Sequence, residues 1–161
     1  MGKFSDYDLP ERKYDFHTDL KFGKQGEELV SSFLDAIGDG AFEVKTDRYR
    51  NGRMCVEIMH WPRKRKDDDG KAIWEPSGLR VTKAGWWVYV YTLDGHEGSF
   101  TVVSVPRLKR YLQLNADRFN DSTMRDFARA SSNPSRGFLL EPEDVMDLMI
   151  NKAYDEVRTE E

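Results

Sequence analysis

The stretch Phe42-Glu43-Val44-Lys45-Thr46-Asp47, together with Val56-Glu57-Ile58 further along, carries most of the structural information in this chain. In both segments apolar or β-branched residues alternate with charged ones, at the period of two that is typical of β-strands. The alternation separates Phe42, Val44 and Thr46 on one face of the first strand from Glu43, Lys45 and Asp47 on the other. In the second strand it separates Met54, Val56 and Ile58 from Cys55, Glu57 and Met59.

The residues between these strands, 48–53, contain Asn51-Gly52, which is a strong signal for a β-hairpin. We therefore expect the two strands to pair through that turn. Such pairing brings Asp47 and Glu57 near each other, with Lys45 one strand step away. Two carboxylates and an amine beside a basic turn suit a divalent metal ion and a phosphodiester.

Length and composition favour one globular domain over residues 1–161, with a core at about 19–114 and a helical extension at about 115–161. No run of 18 or more apolar residues occurs, so no membrane segment is expected. The first residues lack an apolar signal core, and Cys55 has no second cysteine with which to form a disulfide. These features predict a cytoplasmic protein.

The net charge of −4 argues at first against nucleic acid, but the charge is unevenly distributed. Residues 141–161 hold eight acidic and two basic side chains, which leaves residues 1–140 at +2. Local potential matters more than the total for phosphate binding. Two basic clusters flank the candidate acidic site and are expected to contact DNA phosphates: Arg48, Arg50 and Arg53, and Arg63, Lys64, Arg65 and Lys66.

Further elements follow from periodicity and from turn residues. Helices are predicted at about 23–37, 107–114 and 143–157, and a short one within 115–130. The aromatic and β-branched run 85–91 is predicted to be a buried central strand, and 99–105 another strand. Residues 138–140 are expected to form an edge strand, and Asp67-Asp68-Asp69 a solvated loop, because no glutamate follows at calcium-loop spacing.

The order helix, four strands, helix resembles the core of the PD-(D/E)XK nuclease superfamily, and the chain is similar to small phage-type endonucleases related to Holliday-junction resolvases. The resemblance runs from about Asp19 to Leu112. Its pieces are residues 19–23 leading into Gly26-Glu27-Glu28-Leu29-Val30, then Glu43 to Asp47, Val56-Glu57-Ile58, and the segments 76–79 and 82–88. It implies an α/β fold with a restriction-endonuclease-like αβββαβ core, in which helices flank a mixed central sheet.

The resemblance also implies a set of site residues. The first metal-binding aspartate of the family corresponds to Asp47, and the acid of the following strand corresponds to Glu57. The glutamate from the first helix corresponds to Glu27 or Glu28, and we favour Glu27 because its spacing to Val30 and Leu34 turns it toward the core side. The family's lysine position is Met59 here. Lys45 shares a strand face with Asp47 and is the preferred substitute, with Lys83 as the second candidate.

Oxygen ligands without a cysteine or histidine cluster favour Mg²⁺ or Mn²⁺. The expected function is that of a metal-dependent DNA endonuclease that hydrolyses phosphodiester bonds, phage-encoded and structure-selective, acting in the cytoplasm of an infected bacterium. A homodimer is an expected arrangement, since symmetric cutting of a junction favours a symmetric enzyme. The alternative is a non-catalytic DNA-binding or assembly protein on a nuclease scaffold, because Met59 stands at the lysine position.

Overall fold

A computed structural model describes residues 24, 27, 31–47, 49, 51–91 and 99–156. Helix α1 is described at residues 24, 27 and 31–38. The elements that follow it are β1 (Phe42–Asp47), β2 (Met54–His60), β3 (Glu75–Pro76), β4 (Trp86–Tyr91), β5 (Ser99–Ser104), α2 (Val105–Leu114), β6 (Arg125–Phe127), β7 (Ser135–Leu140) and α3 (Pro142–Ile150).

The first sheet is mixed and has the strand order β1-β4-β5 within the described residues. β1 runs parallel to β4, and β4 runs antiparallel to β5. The central position of β4 agrees with its run of aromatic and β-branched residues, of which Trp87 is completely buried. The predictions of a buried central strand at 85–91 and of a strand at 99–105 are thus confirmed.

The predicted hairpin between β1 and β2 is wrong. β2 belongs to a second, antiparallel sheet of order β3-β2-β7-β6. The turn at Asn51-Gly52 redirects the chain without pairing the strands, since the Asn51 side chain accepts a hydrogen bond from the Arg53 N–H at 3.0 Å. β1 instead pairs with the aromatic β4, and β2 pairs with β7.

The alternation predicted for β2 is confirmed in its burial pattern, although the pairing with β7 shifts register between Glu57 and Met59. Met54, Val56 and Ile58 are buried, whereas Cys55, Glu57 and Met59 are half-buried. The core that holds the buried face includes Leu108 and Tyr111 of α2, Phe138 and Leu140 of β7, and Leu148 of α3. Burying apolar area stabilises a fold by about 25 cal/mol per Å², so burial in this shared core is the main contribution that holds the two sheets and the two helices together.

The C-terminal third differs from its predicted helical form. Within residues 115–156 the structure has two strands, β6 and β7, in addition to α3. β7 is a central strand between β2 and β6 rather than the predicted edge strand. β7 pairs through its backbone with β2, which is distant in the chain, and local sequence carries no record of such a long-range partner. The segment 115–156 therefore completes the second sheet instead of extending a finished core.

The described residues form an α/β protein with a mixed sheet and three α-helices, which agrees with the predicted general class. No helix in this part of the chain is both long enough and apolar enough to span a lipid bilayer.

Close packing of β7 on β2 generates a stability prediction. A Cβ atom on Gly137 would lie 1.9 Å from the Val56 carbonyl oxygen, so either strand must shift to accept it. We expect Gly137→Ala to lower the free energy of unfolding by about 2 kcal/mol or more, as measured by urea denaturation. Gly38→Ala is the matched control, because no atom lies within 4 Å of its added Cβ. Equal stability of the two variants would contradict this packing.

Candidate functional site

The charged side chains of β1 point toward the buried aromatic side chains of β4. In the parallel register Glu43 lies beside Trp87, Lys45 beside Tyr89, and Asp47 beside Tyr91. Registered neighbours in a sheet project to the same face. The intervening Val44 and Thr46 are exposed, while the three charged residues are half-buried.

The orientation of β1 is therefore the reverse of what an ordinary half-buried strand shows. Polar residues normally alternate toward water and apolar residues toward the core. Here Val44 is 47% exposed to solvent, whereas the row of charged residues Glu43, Lys45 and Asp47 faces the interior. Burying charged groups costs free energy unless they are paired, so this row must satisfy itself with local partners.

Lys45 is held between two carboxylates from different strands. Its Nζ lies 2.8 Å from Oε1 of Glu43 and 3.9 Å from Oε1 of Glu57. The same ammonium group lies 5.6 Å from the centroid of the Trp87 ring, within the range of a cation–π interaction. Lys45 thus links β1, β2 and β4 at one point.

Asp47 is connected to β2 through a tyrosine. The Tyr89 hydroxyl donates to Oδ2 of Asp47 at 2.8 Å and accepts from the Cys55 N–H at 3.1 Å. The Tyr49 N–H donates to the other Asp47 oxygen at 2.9 Å. Burial strongly raises the pKa of the Tyr89 hydroxyl. The hydrogen bond that it accepts from the Cys55 N–H lowers this pKa, and the hydrogen bond that it donates to Asp47 raises it further. Tyr89 therefore stays protonated and keeps donating to the carboxylate.

Glu57 is positioned from the opposite side by β7 and by a tight turn. The Ser135 hydroxyl donates to Oε2 of Glu57 at 2.8 Å. Gly78 lies so close that a Cβ atom there would be 2.3 Å from the Glu57 carbonyl oxygen, and its φ of +50° also favours glycine. Both contacts restrict the backbone and the side chain of Glu57.

Glu43 is a site residue that the sequence interpretation missed. Burial alone would raise the pKa of its carboxyl group, but hydrogen bonds from Lys45 and Thr82 and the charge of Lys45 outweigh that effect, so the pKa is lowered. Its place in the alternation of β1, two residues before Lys45, was the available signal. Tyr89 and Ser135 were also missed, and only the tertiary fold brings them to the site.

Lys45 thus lies beside Glu57, whereas Asp47 reaches β2 through the Tyr89 hydroxyl. Glu27 lies on an exposed part of α1, and the described residues supply no contact that ties it to these residues. Lys83 is exposed, next to Thr82. The other helix candidate, Glu28, lies outside the described residues, as do Arg48 and Arg50.

The remaining predicted DNA contacts are exposed. Arg53 forms an ion pair with Glu141, with Nε 2.7 Å from Oε2. The Arg65 guanidinium group forms an ion pair with Glu75, with Nη1 3.2 Å from Oε1. Arg63 and Lys64 adopt left-handed backbone conformations, with φ values of 48° and 51°. Lys66 is also exposed. These side chains remain accessible to a large ligand.

The donors of the site are carboxylate oxygens, the type that Mg²⁺ and Mn²⁺ prefer. Burial raises the pKa of the Cys55 thiol, which disfavours a thiolate ligand. Among the described residues, no three or more His, Cys, Asp or Glu side chains are already arranged around a common metal position. Mg²⁺ usually keeps several waters and takes one or two protein carboxylates, the donor type that Asp47 and Glu57 offer.

Comparison of the chain with protein-family models, with curated proteins and with solved structures finds no match.

The lowered pKa of Glu43 generates a pH prediction. A carboxyl group with a depressed pKa in the folded state stabilises the protein above its unfolded value, ordinarily about 4.5, and that contribution is lost as the pH falls through the folded value. We expect Glu43→Gln to flatten the acid side of a plot of unfolding free energy against pH. Asp68→Asn, in an exposed loop, is the control and should keep the wild-type slope; an unchanged slope in Glu43→Gln would refute the pairing with Lys45.

Proposed function

We propose that the chain is a metal-dependent DNA endonuclease that hydrolyses phosphodiester bonds. The observation that carries the proposal is the inward-facing row Glu43, Lys45 and Asp47, met by Glu57 from the second sheet. Three carboxylates against one ammonium group leave this half-buried cluster formally at −2. A cluster of that charge, in reduced contact with water, attracts a divalent cation.

In this proposal Asp47 and Glu57 hold Mg²⁺ or Mn²⁺, and Glu27 is the candidate for a further ligand from α1. Bound there, the metal ion would lower the pKa of a water molecule and offset charge on the scissile phosphate. Tyr89 and the Tyr49 N–H orient the Asp47 carboxylate, and Ser135 orients Glu57. Such oriented ligands are what a catalytic metal site requires.

Lys45 supplies the amine in the proposed mechanism. Its Nζ already lies 3.9 Å from Glu57, so a short movement of the four-carbon stem reaches a phosphate bound beside that carboxylate. An ammonium group at this point stabilises negative charge that develops on the phosphate oxygens. Glu43 holds the lysine in place between turnovers, because it is the nearer of the two carboxylates.

The finer features of the proposal follow from the family resemblance. We propose that α1, the mixed sheet β1-β4-β5 and α2 correspond to a restriction-endonuclease-like core, and that the enzyme is phage-type, structure-selective and dimeric. The parallel β1–β4 pair, with α1 before it and α2 after β5, supports this correspondence, whereas β2, which carries Glu57, lies in the second sheet. The basic residues Arg53 and Arg63 to Lys66 would contact phosphates, which position DNA without reading its sequence.

A second candidate function is DNA binding or assembly without catalysis. It is favoured by the absence of a ready-made three-ligand group among the described residues and by Met59 at the family's lysine position. The two candidates differ in one measurable property. Only the enzyme nicks supercoiled plasmid or branched DNA with Mg²⁺ or Mn²⁺ and stops when EDTA is added.

The first test removes the proposed ligands. Asp47→Asn and Glu57→Gln each delete an anionic oxygen while preserving size, so the fold should survive and cleavage of plasmid and branched DNA should fall by about 100-fold or more. Asp69→Asn, an exposed loop carboxylate, is the control and should cut at the wild-type rate. Wild-type cleavage by a folded double variant would sink the assignment of the metal site.

The second test identifies the amine. Lys45→Met should slow cleavage by about 100-fold or more while leaving DNA binding nearly unchanged, since only the charged state of the reaction needs the ammonium group. Lys83→Met should have little effect, and Lys109→Met, exposed on α2, serves as the control. Normal cutting by Lys45→Met with loss in Lys83→Met would move the amine to the segment before β4. Normal cutting by both would disprove an amine mechanism.

A further inference from the structure

Two tryptophans form a pair beside the basic turn at residues 62–65. The ring centroids of Trp61 and Trp74 are 5.9 Å apart, and the planes are inclined by 36°. The indole N–H of Trp61 donates to the Arg65 carbonyl, which fixes the ring against the turn. Both rings are half-buried and neither belongs to the buried core of the protein. The pair therefore keeps aromatic surface at the solvent boundary.

An arginine extends this aromatic surface. The guanidinium carbon of Arg136 lies 4.0 Å from the centroid of Trp74, a close cation–π contact. Its Nε also donates to Oδ1 of Asp126 at 2.7 Å, so the guanidinium group is held in place. The guanidinium group thus covers one face of Trp74, and proteins stack unpaired bases on guanidinium planes as well as on aromatic rings.

Arg136 also lines a cavity of about 450 Å³ on the same side of the molecule. The cavity is lined by three arginines and two aspartates, which gives the lining a formal charge of +1. The lining residues are Asp121, Met124, Arg125, Asp126, Arg129 and Arg136. Arg129 retains 80% of its side-chain surface exposed to solvent. Arg136 thus joins the aromatic pair to a basic cavity.

The basic turn is attached to this region by hydrogen bonds. The backbone N–H of Trp61 donates to the Pro134 carbonyl at 2.8 Å, and the backbone N–H of Arg63 donates to the side-chain oxygen of Asn133 at 2.8 Å. Arg63 and Lys64 consequently lie beside the loop that precedes β7. We call Trp61, Trp74, Arg125, Arg129 and Arg136 the Trp–Arg surface.

We propose that the Trp–Arg surface binds an unpaired strand of DNA. A base packs on the tryptophan pair, and the phosphates on either side meet the arginine cavity and the basic turn. Charge complementarity selects a polyanion, and a stacking surface of half-buried rings and a guanidinium plane selects bases that are free of a partner strand, since paired bases expose no face for stacking. This inference rests on the proposed function only in taking DNA as the ligand.

The position of Arg136 relates this surface to the candidate site. Ser135, which binds Glu57, and Arg136 are adjacent on β7 and hence point to opposite faces of the sheet. The Trp–Arg surface therefore lies across the sheet from Glu57. A single strand is flexible enough to leave a duplex at the site and pass around the sheet, which suits a substrate with a branch or a flap.

Binding in EDTA tests the proposal, because it needs no cleavage. Fluorescence anisotropy would compare a labelled oligothymidylate, an abasic strand of the same length and a blunt duplex. Trp74→Leu should weaken oligothymidylate binding between about 5-fold and 100-fold and leave the abasic strand and the duplex unchanged. Trp74→Phe should retain most of the affinity. Phe100→Leu, an exposed aromatic on β5, is the matched control and should bind as the wild type does.

Arg125→Gln with Arg129→Gln is a second variant that leaves the tryptophans intact. It should weaken the oligothymidylate and the abasic strand alike and make the salt dependence of affinity less steep. Unchanged oligothymidylate binding in both variants, or an equal loss for the abasic strand in Trp74→Leu, would overturn the proposal. Plasmid cutting with Mg²⁺ alongside such a result leaves the proposed function standing. Conversely, base-dependent binding through Trp74 without any cutting supports the surface and rejects the enzyme.

Discussion

The parallel register of β1 on β4 is the constraint on which the candidate site depends. It sets Glu43, Lys45 and Asp47 on the face occupied by Trp87, Tyr89 and Tyr91. A shift of one residue would turn every side chain of β1 to the opposite face, so that Val44 and Thr46 would enter the interior and the charges would meet water. Such a shift would break the hydrogen bond from Tyr89 to Asp47 and the contact of Lys45 with the Trp87 ring.

This arrangement costs electrostatic free energy, because it places charged side chains in a half-buried row. Half-buried charges lose part of their hydration. The Lys45 ammonium group offsets this loss by contacting two carboxylates and an aromatic ring. The aliphatic part of such a side chain packs along apolar surface. The carboxylates outnumber the amine, so pairing within the protein leaves negative charge uncompensated. Replacing a buried ionic cluster by apolar residues is often neutral or stabilising, so such a cluster is weak evidence for a stabilising role. Its residual charge is therefore the feature that most favours a role in binding a cation.

The sequence predicted the local elements well and their partners poorly. The alternation in β1 and β2 and the dense run in β4 identified strands and faces, because side-chain period is a local property. The hairpin failed because Asn51-Gly52 specifies a turn and says nothing about whether the flanking strands pair. Asp47, Glu57 and Lys45 were predicted as site residues from spacing together with family resemblance, and the structure places Lys45 beside Glu57. Tyr89 and Ser135 were not predicted, since each lies far from its carboxylate in the chain and approaches it only after the sheets form.

β7 shows why the last of these contacts matter for the whole molecule. One strand supplies Ser135 to Glu57 on one face, Arg136 to Trp74 on the other, and Gly137 to the backbone of β2 between them. The close approach at Gly137 leaves no room for β7 to slide or tilt against β2. Any change that moves β7 must consequently move the carboxylate and the stacked arginine together. Through adjacent residues of β7, the position of Glu57 and the position of Arg136 are therefore set by the same strand.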